Sequence, residues 1–267
     1  MPRYFIWTIG CQMNKAESQR IASYLDSAGY QAATSFSDAD LVLLNTCVVR
    51  QSAENKVLGT LGLLKGLKNK RPNLHILVTG CFVDSDTERL KRRFPQVDFL
   101  FKPGDYPELI AWSQKQGMLV EPGLLRYSRN DTRGTSSPCA FIPIIQGCDN
   151  FCSYCIVPYR RGREMSRPLG EIVGEVKELA RRGIKEVTLL GQNVDSYGHD
   201  LPGRPDLADL LKELSSMDNL VRIRFLTNHP KDISLKLIET VASLDKVCEH
   251  LELPVQSGDD DILRAMK

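Results

Sequence analysis

The sequence lacks any long apolar run. Among its 267 residues, no stretch approaches the roughly 20 apolar residues that a membrane-spanning helix needs. The first residues, Met1 to Tyr4, do not begin the apolar segment of a secretory signal peptide. These two absences predict a cytoplasmic protein that makes no use of a membrane.

Histidine is also scarce, whereas cysteine is not. The chain has 4 histidines and 8 cysteines, and 42% of its residues are hydrophobic and 25% charged, as in ordinary globular proteins. In a chain of this size without a signal peptide, cysteines are more typical of metal binding or catalysis than of disulfides. The formal net charge of +2 indicates no particular partner, although the basic run from Arg160 to Arg167 is a candidate anion-binding patch.

Residues 1–112 alternate between strand-like and helix-like segments. The strand candidates are residues 4–9, 41–44, 76–78 and 97–101, and the helix candidates between them are residues 14–28, 52–68 and 86–94. Uniformly apolar strands that alternate with helices are typical of a parallel sheet covered on both faces. This part of the chain is therefore predicted to be a parallel-sheet α/β domain.

A cysteine stands directly after each of the first three strands. These are Cys11, Cys47 and Cys81, separated by 36 and 34 residues, which is one strand–helix unit each. Ligands of open α/β sheets bind at the carboxyl ends of the strands, so neighbouring strands can bring the three thiols together. We predict a three-cysteine site here. The alternative, three small buried apolar residues at strand ends, stays open at this stage.

The second half of the chain starts a new alternation after a predicted linker. Residues 113–138, rich in Gly, Pro, Ser, Thr and Arg, have the composition of a linker. Strand candidates then follow at 141–145, 186–190, 222–226 and 251–255, and helix candidates at 170–182, 207–217, 235–244 and from 259. Such βα units predict a partial (β/α) barrel over residues 139–267. A four-strand arc would leave an exposed edge, so we expect a truncated barrel whose further strands lie beyond Lys267.

The densest cysteine cluster follows the first strand of this second half. Cys148, Cys152 and Cys155 are separated by three and then two residues, and the next histidine is His199. Structural zinc sites use four ligands, usually in two spaced pairs. A [4Fe–4S] cluster is the thiolate-rich alternative, in which three cysteines hold three irons and leave the fourth open. The spacing favours the iron–sulfur cluster, and zinc remains the alternative.

These residues resemble a known signature. The pattern Cys148-x-x-x-Cys152-x-x-Cys155, with the aromatic Tyr154 before the last cysteine, is similar to the signature of radical S-adenosylmethionine enzymes. The resemblance to one family within them, the methylthiotransferases, extends over essentially the whole chain. It is carried by residues 10–14, 45–47, 79–81, 148–164, 166–168, 190–194, 224–225, 229–230 and 253–258.

The resemblance implies a radical S-adenosylmethionine barrel and two [4Fe–4S] clusters. One cluster would be held by Cys148, Cys152 and Cys155, with S-adenosylmethionine on its open iron, and an auxiliary cluster by the other three predicted site cysteines. Tyr154 would lie near the adenine of the cofactor, and Gln192, Asn193 and Arg163 are candidate cofactor contacts. Loop packing, a polar turn and plain surface charge are the alternative roles of these four residues.

Several other side chains are candidates for weaker roles. Arg160, Arg161 and Arg167 carry guanidinium groups that suit a cofactor carboxylate or an RNA phosphate, and plain surface charge is the alternative for each. His229 could contact the site or only cap a loop. The cysteines left over, Cys139 and Cys248, precede predicted strands, at the wrong end for the site. We predict that both are structural.

The closest branch of the family implies a specific reaction. It adds a methylthio group to C2 of N6-isopentenyladenosine beside the anticodon of tRNA. Its expected partners are this tRNA and an electron donor, with an iron–sulfur carrier protein as a further candidate. The alternatives are sister enzymes that modify threonylcarbamoyladenosine in tRNA or a ribosomal-protein aspartate, a non-catalytic iron–sulfur RNA-binding scaffold, and a zinc-stabilised RNA-binding module.

The sequence departs from the family pattern in three places. Asn228 stands where the family often has serine, and residues 259–261 are acidic where a serine and a basic residue are frequent. The family's C-terminal RNA-binding domain is absent from the sequence given.

Overall fold

The computed structural model describes residues 1–84, 86–117 and 138–267. The chain forms two compact units, Met1–Arg129 and Asn130–Lys267. Most of the predicted linker, residues 113–138, lies outside the described residues, so the domain boundaries at 112 and 139 stay predictions. In the described part of the chain, no helix is both long and apolar enough to cross a bilayer.

The first unit contains a five-stranded parallel sheet. Its strands are β1 (Arg3–Thr8), β2 (Gln31–Ala32), β3 (Leu41–Thr46), β4 (His75–Gly80) and β5 (Phe99–Leu100), in the order β2-β1-β3-β4-β5. The helices are α1 (Gln12–Ser27), α2 (Gln51–Lys70), α3 (Thr87–Arg93) and α4 (Tyr106–Lys115). The predicted parallel α/β sheet is confirmed. The sequence analysis did not predict β2 or α4, and α4 ends three residues inside the predicted linker.

The central strand β3 explains why this sheet is covered on both faces. All six of its residues are buried. β1 and β4 pair with its two edges, and helices cover its two faces. Leu41 and Leu43 pack on one face against α1 and α4, whereas Val42 and Leu44 pack on the other against α2 and α3. Successive side chains of a strand point to opposite faces, so a continuously apolar strand needs two covering layers.

The second unit is built on three parallel strands. These are β6 (Cys139–Pro143), β9 (Glu186–Leu190) and β10 (Arg222–Phe225), in the order β10-β9-β6. Two short antiparallel strands, β7 (Ile145–Gln146) and β8 (Met165–Ser166), flank the cysteine loop. The helices are α5 (Val157–Arg161), α6 (Leu169–Arg181), α7 (Leu207–Ser215), α8 (Leu235–Ser243) and α9 (Asp260–Met266). The βα alternation predicted for a partial barrel is confirmed.

The strand predicted at residues 251–255 is wrong. These residues form no strand, and the parallel pairing next to β10 consists of a single bridge between Ile223 and Val247. Leu253 is 42% exposed and Val255 is 78% exposed, so extending the ladder would bury little apolar surface. The backbone N–H of Glu252 instead donates to Oδ1 of Asn228, a contact that an apolarity pattern does not reveal.

Arg167 fixes the first barrel helix to the first barrel strand. Its Nη2 lies 2.7 Å from Oε2 of Glu175, whose side chain has 0% exposure, and its Nη1 donates to the backbone oxygen of Pro143 at 2.7 Å. The sequence analysis treated Arg167 as a candidate contact for a cofactor or RNA. In the structure its guanidinium binds Pro143 of β6 and Glu175 of α6. It thereby serves as a counter-ion for the buried carboxylate of Glu175.

We expect Arg167→Met to lower the free energy of unfolding by about 3 kcal/mol, because removing one partner of a buried ion pair leaves the other charge desolvated. The double variant Arg167→Met with Glu175→Gln should recover part of this loss. Arg182→Met is the matched control: Arg182 pairs with the exposed Glu178 at 2.6 Å, and such surface pairs contribute less than about 1 kcal/mol. Urea-induced unfolding followed by circular dichroism measures all three. Equal losses in the two single variants would contradict the prediction.

Candidate functional site

The first predicted triad lies at one edge of the first unit's sheet. Cys11 is the residue before α1, Cys47 follows β3 and Cys81 follows β4. The backbone N–H of Cys81 donates to the oxygen of Thr46 at 2.9 Å. A Cβ atom on Gly10 would lie only 2.8 Å from Cβ of Cys47. The parallel topology therefore brings the backbone of all three cysteines to the same strand ends, as the strand–helix spacing predicts.

Two buried asparagines hold these strand ends together. The Nδ2 atom of Asn14 donates to the oxygens of Ile9 (2.8 Å) and Thr46 (2.9 Å), so it ties the β1–α1 turn to β3. The Nδ2 atom of Asn45 donates in return to the oxygen of Asn14 at 2.8 Å. Both asparagines have 0% exposure. Their cross-links position the residues that precede Cys11 and Cys47. The sequence analysis quoted both asparagines within motifs without assigning them this role.

The second predicted triad lies in a loop that closes on itself. The backbone N–H of Cys148 donates to the oxygen of Gly162 at 3.2 Å. Asp149 and Glu164 accept each other's backbone N–H at 3.1 and 3.2 Å, and Nε of Arg163 lies 2.8 Å from Oδ1 of Asp149. The strands β7 and β8 flank this closure. Residues 162–164, called the loop base below, therefore hold the start of the cysteine loop by hydrogen bonds and an ion pair.

Within this loop the three thiols are electrostatic neighbours. Burial raises the pKa of the Cys148 thiol, and the charges of Glu164, Cys155 and Cys152 raise it further, while a hydrogen bond from the backbone of Asn150 lowers it. The N–H of Cys155 donates to the oxygen of Cys152 at 2.9 Å, which closes a tight turn. The Cys148 thiol would release its proton on binding a metal, since only the thiolate is a ligand.

The candidate cofactor contacts lie around this loop in different settings. Tyr154 is 54% exposed. The backbone N–H of Gly147 donates to Oε1 of Gln192 at 2.7 Å, so Gln192 contacts the residue before Cys148. Asn193 is 1% exposed. Arg163 pairs with Asp149 and lies over the ring of Phe151 at 5.5 Å, so its guanidinium already has protein partners. The cofactor roles of these four residues stay predictions.

A network of carboxylates that the sequence analysis missed connects the loop to the strand ends. Oδ2 of Asp232 accepts from Nδ2 of Asn150 (2.8 Å) and from Nδ2 of Asn193 (2.6 Å). Asp195 accepts from the side chain of Asn228 at 2.6 Å and from the backbone N–H of His229 at 2.8 Å. Burial raises the pKa of Asp195, and these two donors lower it. The only sequence signal for this network is that the residues lie two to six positions after predicted strand ends.

Comparisons with known proteins match both units. Residues 3–102 match the uncharacterized protein family UPF0004, and residues 142–267 match the radical SAM superfamily. Over all 267 residues the chain is 55% identical to the tRNA-2-methylthio-N(6)-dimethylallyladenosine synthase of Dehalococcoides mccartyi strain CBDB1. It is 49% identical to the protein of the same name from Dictyoglomus thermophilum, over 100% of this chain and 62% of that protein.

The chain belongs to the radical S-adenosylmethionine methylthiotransferase family. It spans 60% of the length of the Dehalococcoides relative. Among solved structures, the radical methyltransferase TsrM from Kitasatospora setae, with tryptophan and an analogue of S-adenosylmethionine, has a TM-score of 0.64 at 14% identity, over 98% of this chain and 61% of that one. The cobalamin-dependent radical enzyme OxsB has a TM-score of 0.61 at 13% identity, over 100% of this chain and 45% of that one. At these identities the likeness concerns the fold alone.

Family membership implies a [4Fe–4S] cluster and S-adenosylmethionine, and the second unit has suitable groups for both. Cys148, Cys152 and Cys155 supply the three thiolates that an iron–sulfur cluster prefers. Oδ1 of Asn193 is a buried oxygen for which the described residues offer no hydrogen-bond partner. Across the described residues, no three His, Cys, Asp or Glu side chains stand in a metal-binding arrangement. The fit therefore rests on the donor types and their backbone positions, and the ligand assignments stay predictions.

The first unit has comparable features beside its own triad. Cys47 and Cys81 are buried, and Cys11 is exposed. The buried oxygens Oδ1 of Asn45 and Oγ1 of Thr79 have no hydrogen-bond partner among the described residues. Each of these oxygens belongs to a residue two positions before a cysteine of the triad. Buried polar atoms are normally satisfied, and a bound group, an ordered water or local strain accounts for such exceptions.

Proposed function

We propose that this chain carries the catalytic part of a tRNA methylthiotransferase, which adds a methylthio group to C2 of N6-isopentenyladenosine beside the anticodon. The observation that carries the proposal is the 55% identity over the whole chain to a relative named for this reaction. In the proposed reaction, a C2–S bond replaces the C2–H bond and the hydrogen leaves on the adenosyl fragment of one S-adenosylmethionine. A second S-adenosylmethionine supplies the methyl group.

In this proposal each of the two cysteine triads binds a different cluster. Cys148, Cys152 and Cys155 would hold the cluster that binds S-adenosylmethionine, and the other triad, Cys11, Cys47 and Cys81, would hold a second [4Fe–4S] cluster that carries the sulfur. When bound, these groups would supply one-electron chemistry and the sulfur for transfer. The amide of Gln192 orients the residue that begins the cysteine loop, since it accepts from the N–H of Gly147. Asn193 and Tyr154 are the proposed contacts for the cofactor.

The partners follow from the same proposal. The substrate is the anticodon stem-loop of tRNA that carries isopentenylated adenosine, in the cytoplasm. An electron donor would reduce the clusters, and an iron–sulfur carrier protein is a candidate for loading them. Arg160 and Arg161 remain candidates for RNA phosphate, because guanidinium groups suit phosphate oxygens. Arg161 is only 6% exposed, which makes Arg160 the better candidate of the two.

The iron content of triple variants tests the assignment of the two triads. We expect each triad, when changed to alanine at all three positions, to remove about half of the iron and sulfide of the anaerobically reconstituted protein. Only the variant lacking Cys148, Cys152 and Cys155 should lose the formation of 5′-deoxyadenosine from S-adenosylmethionine after reduction. The leftover cysteines Cys139 and Cys248, changed together to alanine, are the control and should keep the full iron content. Stoichiometric zinc without iron would contradict the proposal.

The substrate is tested separately in cells. Deletion of the gene for the full-length protein should remove 2-methylthio-N6-isopentenyladenosine from tRNA, as measured by nucleoside mass spectrometry, and restoring the gene should return it. Unaltered levels of this nucleoside in the deletion strain would contradict the proposed substrate. Loss of methylthiolated threonylcarbamoyladenosine instead would assign the chain to a sister reaction of the same family.

A further inference from the structure

His229 follows β10 and reaches the cysteine loop. Its Nε2 atom lies 3.8 Å from Sγ of Cys152, within the range of a hydrogen bond to sulfur. Its side chain is 26% exposed, so the ring is largely enclosed by protein. Cys152 is the middle cysteine of the loop. The contact joins a residue after the third strand of the unit to a predicted cluster ligand 77 positions away in the sequence.

The hydrogen bond on the other side of the ring fixes where its proton resides. The backbone N–H of Lys231 donates to Nδ1 of His229 at 3.2 Å. A nitrogen that accepts a hydrogen bond must present its lone pair, so this contact assigns the proton of the neutral imidazole to Nε2. Oδ2 of Asp232 lies 3.8 Å from the same Nδ1, beyond hydrogen-bond distance, so it does not compete for a proton there. The atom that faces Cys152 is therefore an N–H donor. A thiolate at Cys152 would accept from it.

The backbone of His229 is held firmly enough to maintain this contact. Its N–H donates to Oδ2 of Asp195 at 2.8 Å, and the other oxygen of Asp195 accepts from Asn228 at 2.6 Å. Asp195 is 6% exposed and Asn228 is 2% exposed. The cysteine loop is held in turn by Asp232, which accepts from Asn150. Both partners of the contact are thus attached to buried or largely buried carboxylates.

We propose that His229 is a positioning residue for Cys152, which donates its Nε2 proton to the thiolate and thereby stabilises the reduced state of the cluster. This inference rests on the proposed function, because it needs a cluster on the cysteine loop. Reduction adds negative charge to a cluster, and part of that charge lies on its thiolate ligands. A donor aimed at the sulfur therefore stabilises the reduced form more than the oxidised form, and it raises the reduction potential.

The test is a potentiometric titration of the cluster on the cysteine loop. Replacing Cys11, Cys47 and Cys81 with alanine in every sample leaves only this loop to bind iron. In this background, we expect His229→Leu to lower the equilibrium constant for reduction about tenfold, which is about 59 mV for a one-electron couple. His229→Gln keeps an N–H donor near the position of Nε2 and should restore most of the potential. His250→Leu, at an exposed histidine, is the matched control.

The outcomes separate this inference from the proposed function. If the background protein binds no iron, the proposed function and the inference are both wrong. If His229→Leu binds iron with the potential of the control, only the inference is wrong. If His229→Leu does not bind iron, the comparison of His229→Gln with His229→Asn decides, because the shorter asparagine withdraws its donor from the sulfur. A lower potential in His229→Asn then supports the inference, and equal potentials contradict it.

Discussion

Replacing Gly147 with alanine is expected to remove the iron of the cysteine loop while leaving that of the first unit. Gly147 has a φ of +81°, and a Cβ atom added there would lie 2.0 Å from the oxygen of Arg163 and 2.6 Å from that of Gly162. Both obstacles are backbone atoms of the loop base, so no side chain can rotate away. Cys148 and the closing residues 162–164 would have to separate, at a cost on the order of 4 kcal/mol.

A second glycine of the same loop isolates the effect of the clash. Gly162 has the same φ of +81°, but a Cβ atom there meets nothing within 4 Å. Gly162 has a ψ of −165°, a backbone conformation that is essentially restricted to glycine. Gly162→Ala should therefore cost only this backbone strain, on the order of 2 kcal/mol, and keep its iron. Iron and sulfide analysis of the reconstituted variants, with circular dichroism to verify folding, measures the difference. Full iron in Gly147→Ala, or equal losses in both variants, would contradict this account of the loop.

The strand–helix alternation could be predicted from the sequence because it depends on local periodicity. Apolar runs such as Leu41–Leu44 specify a strand that is buried on both faces, and a parallel sheet then collects the strand ends at one edge. The positions of Cys11, Cys47 and Cys81 follow from that topology without any knowledge of side chains. The spacing of Cys148, Cys152 and Cys155 likewise predicted a cysteine loop. It did not predict the hydrogen bonds of Asp149, Glu164 and Asp232 that hold this loop.

The features that the sequence did not reveal depend on tertiary partners. The sequence indicated Arg167 as a candidate contact for a cofactor or RNA, yet its Nη2 lies 2.7 Å from Oε2 of the buried Glu175. The sequence analysis left open whether His229 contacts the site or caps a loop, and it had no signal for Asp232. The fold brings both residues to the cysteine loop. Apolar patterning also misassigned residues 251–255 as a strand, because it does not account for the neighbours that a strand needs. Pairwise contacts of this kind have no periodic signal.

The strongest prediction for the first unit concerns Gly80, which precedes Cys81. Its φ is +91°, and a Cβ atom would lie 2.2 Å from the oxygen and 2.4 Å from the nitrogen of Thr46. Thr46 and Gly80 are the last pair of the ladder between β3 and β4, and the N–H of Cys81 donates to the same oxygen of Thr46. Alanine at this position must therefore push β3 and β4 apart where their strands deliver Cys47 and Cys81.

We expect Gly80→Ala to lower the free energy of unfolding on the order of 4 kcal/mol and to remove the iron of the first triad only. Gly29→Ala is the matched control, since Gly29 has a φ of +81° and open space around it, so only about 1 kcal/mol of backbone strain is expected. Urea-induced unfolding without iron separates the stability loss from the loss of ligands. Iron analysis in a background lacking Cys148, Cys152 and Cys155 then measures the first triad alone. If Gly80→Ala keeps that iron, the close approach of β3 and β4 does not position the cysteines, and their arrangement would depend instead on the asparagine cross-links of Asn14 and Asn45.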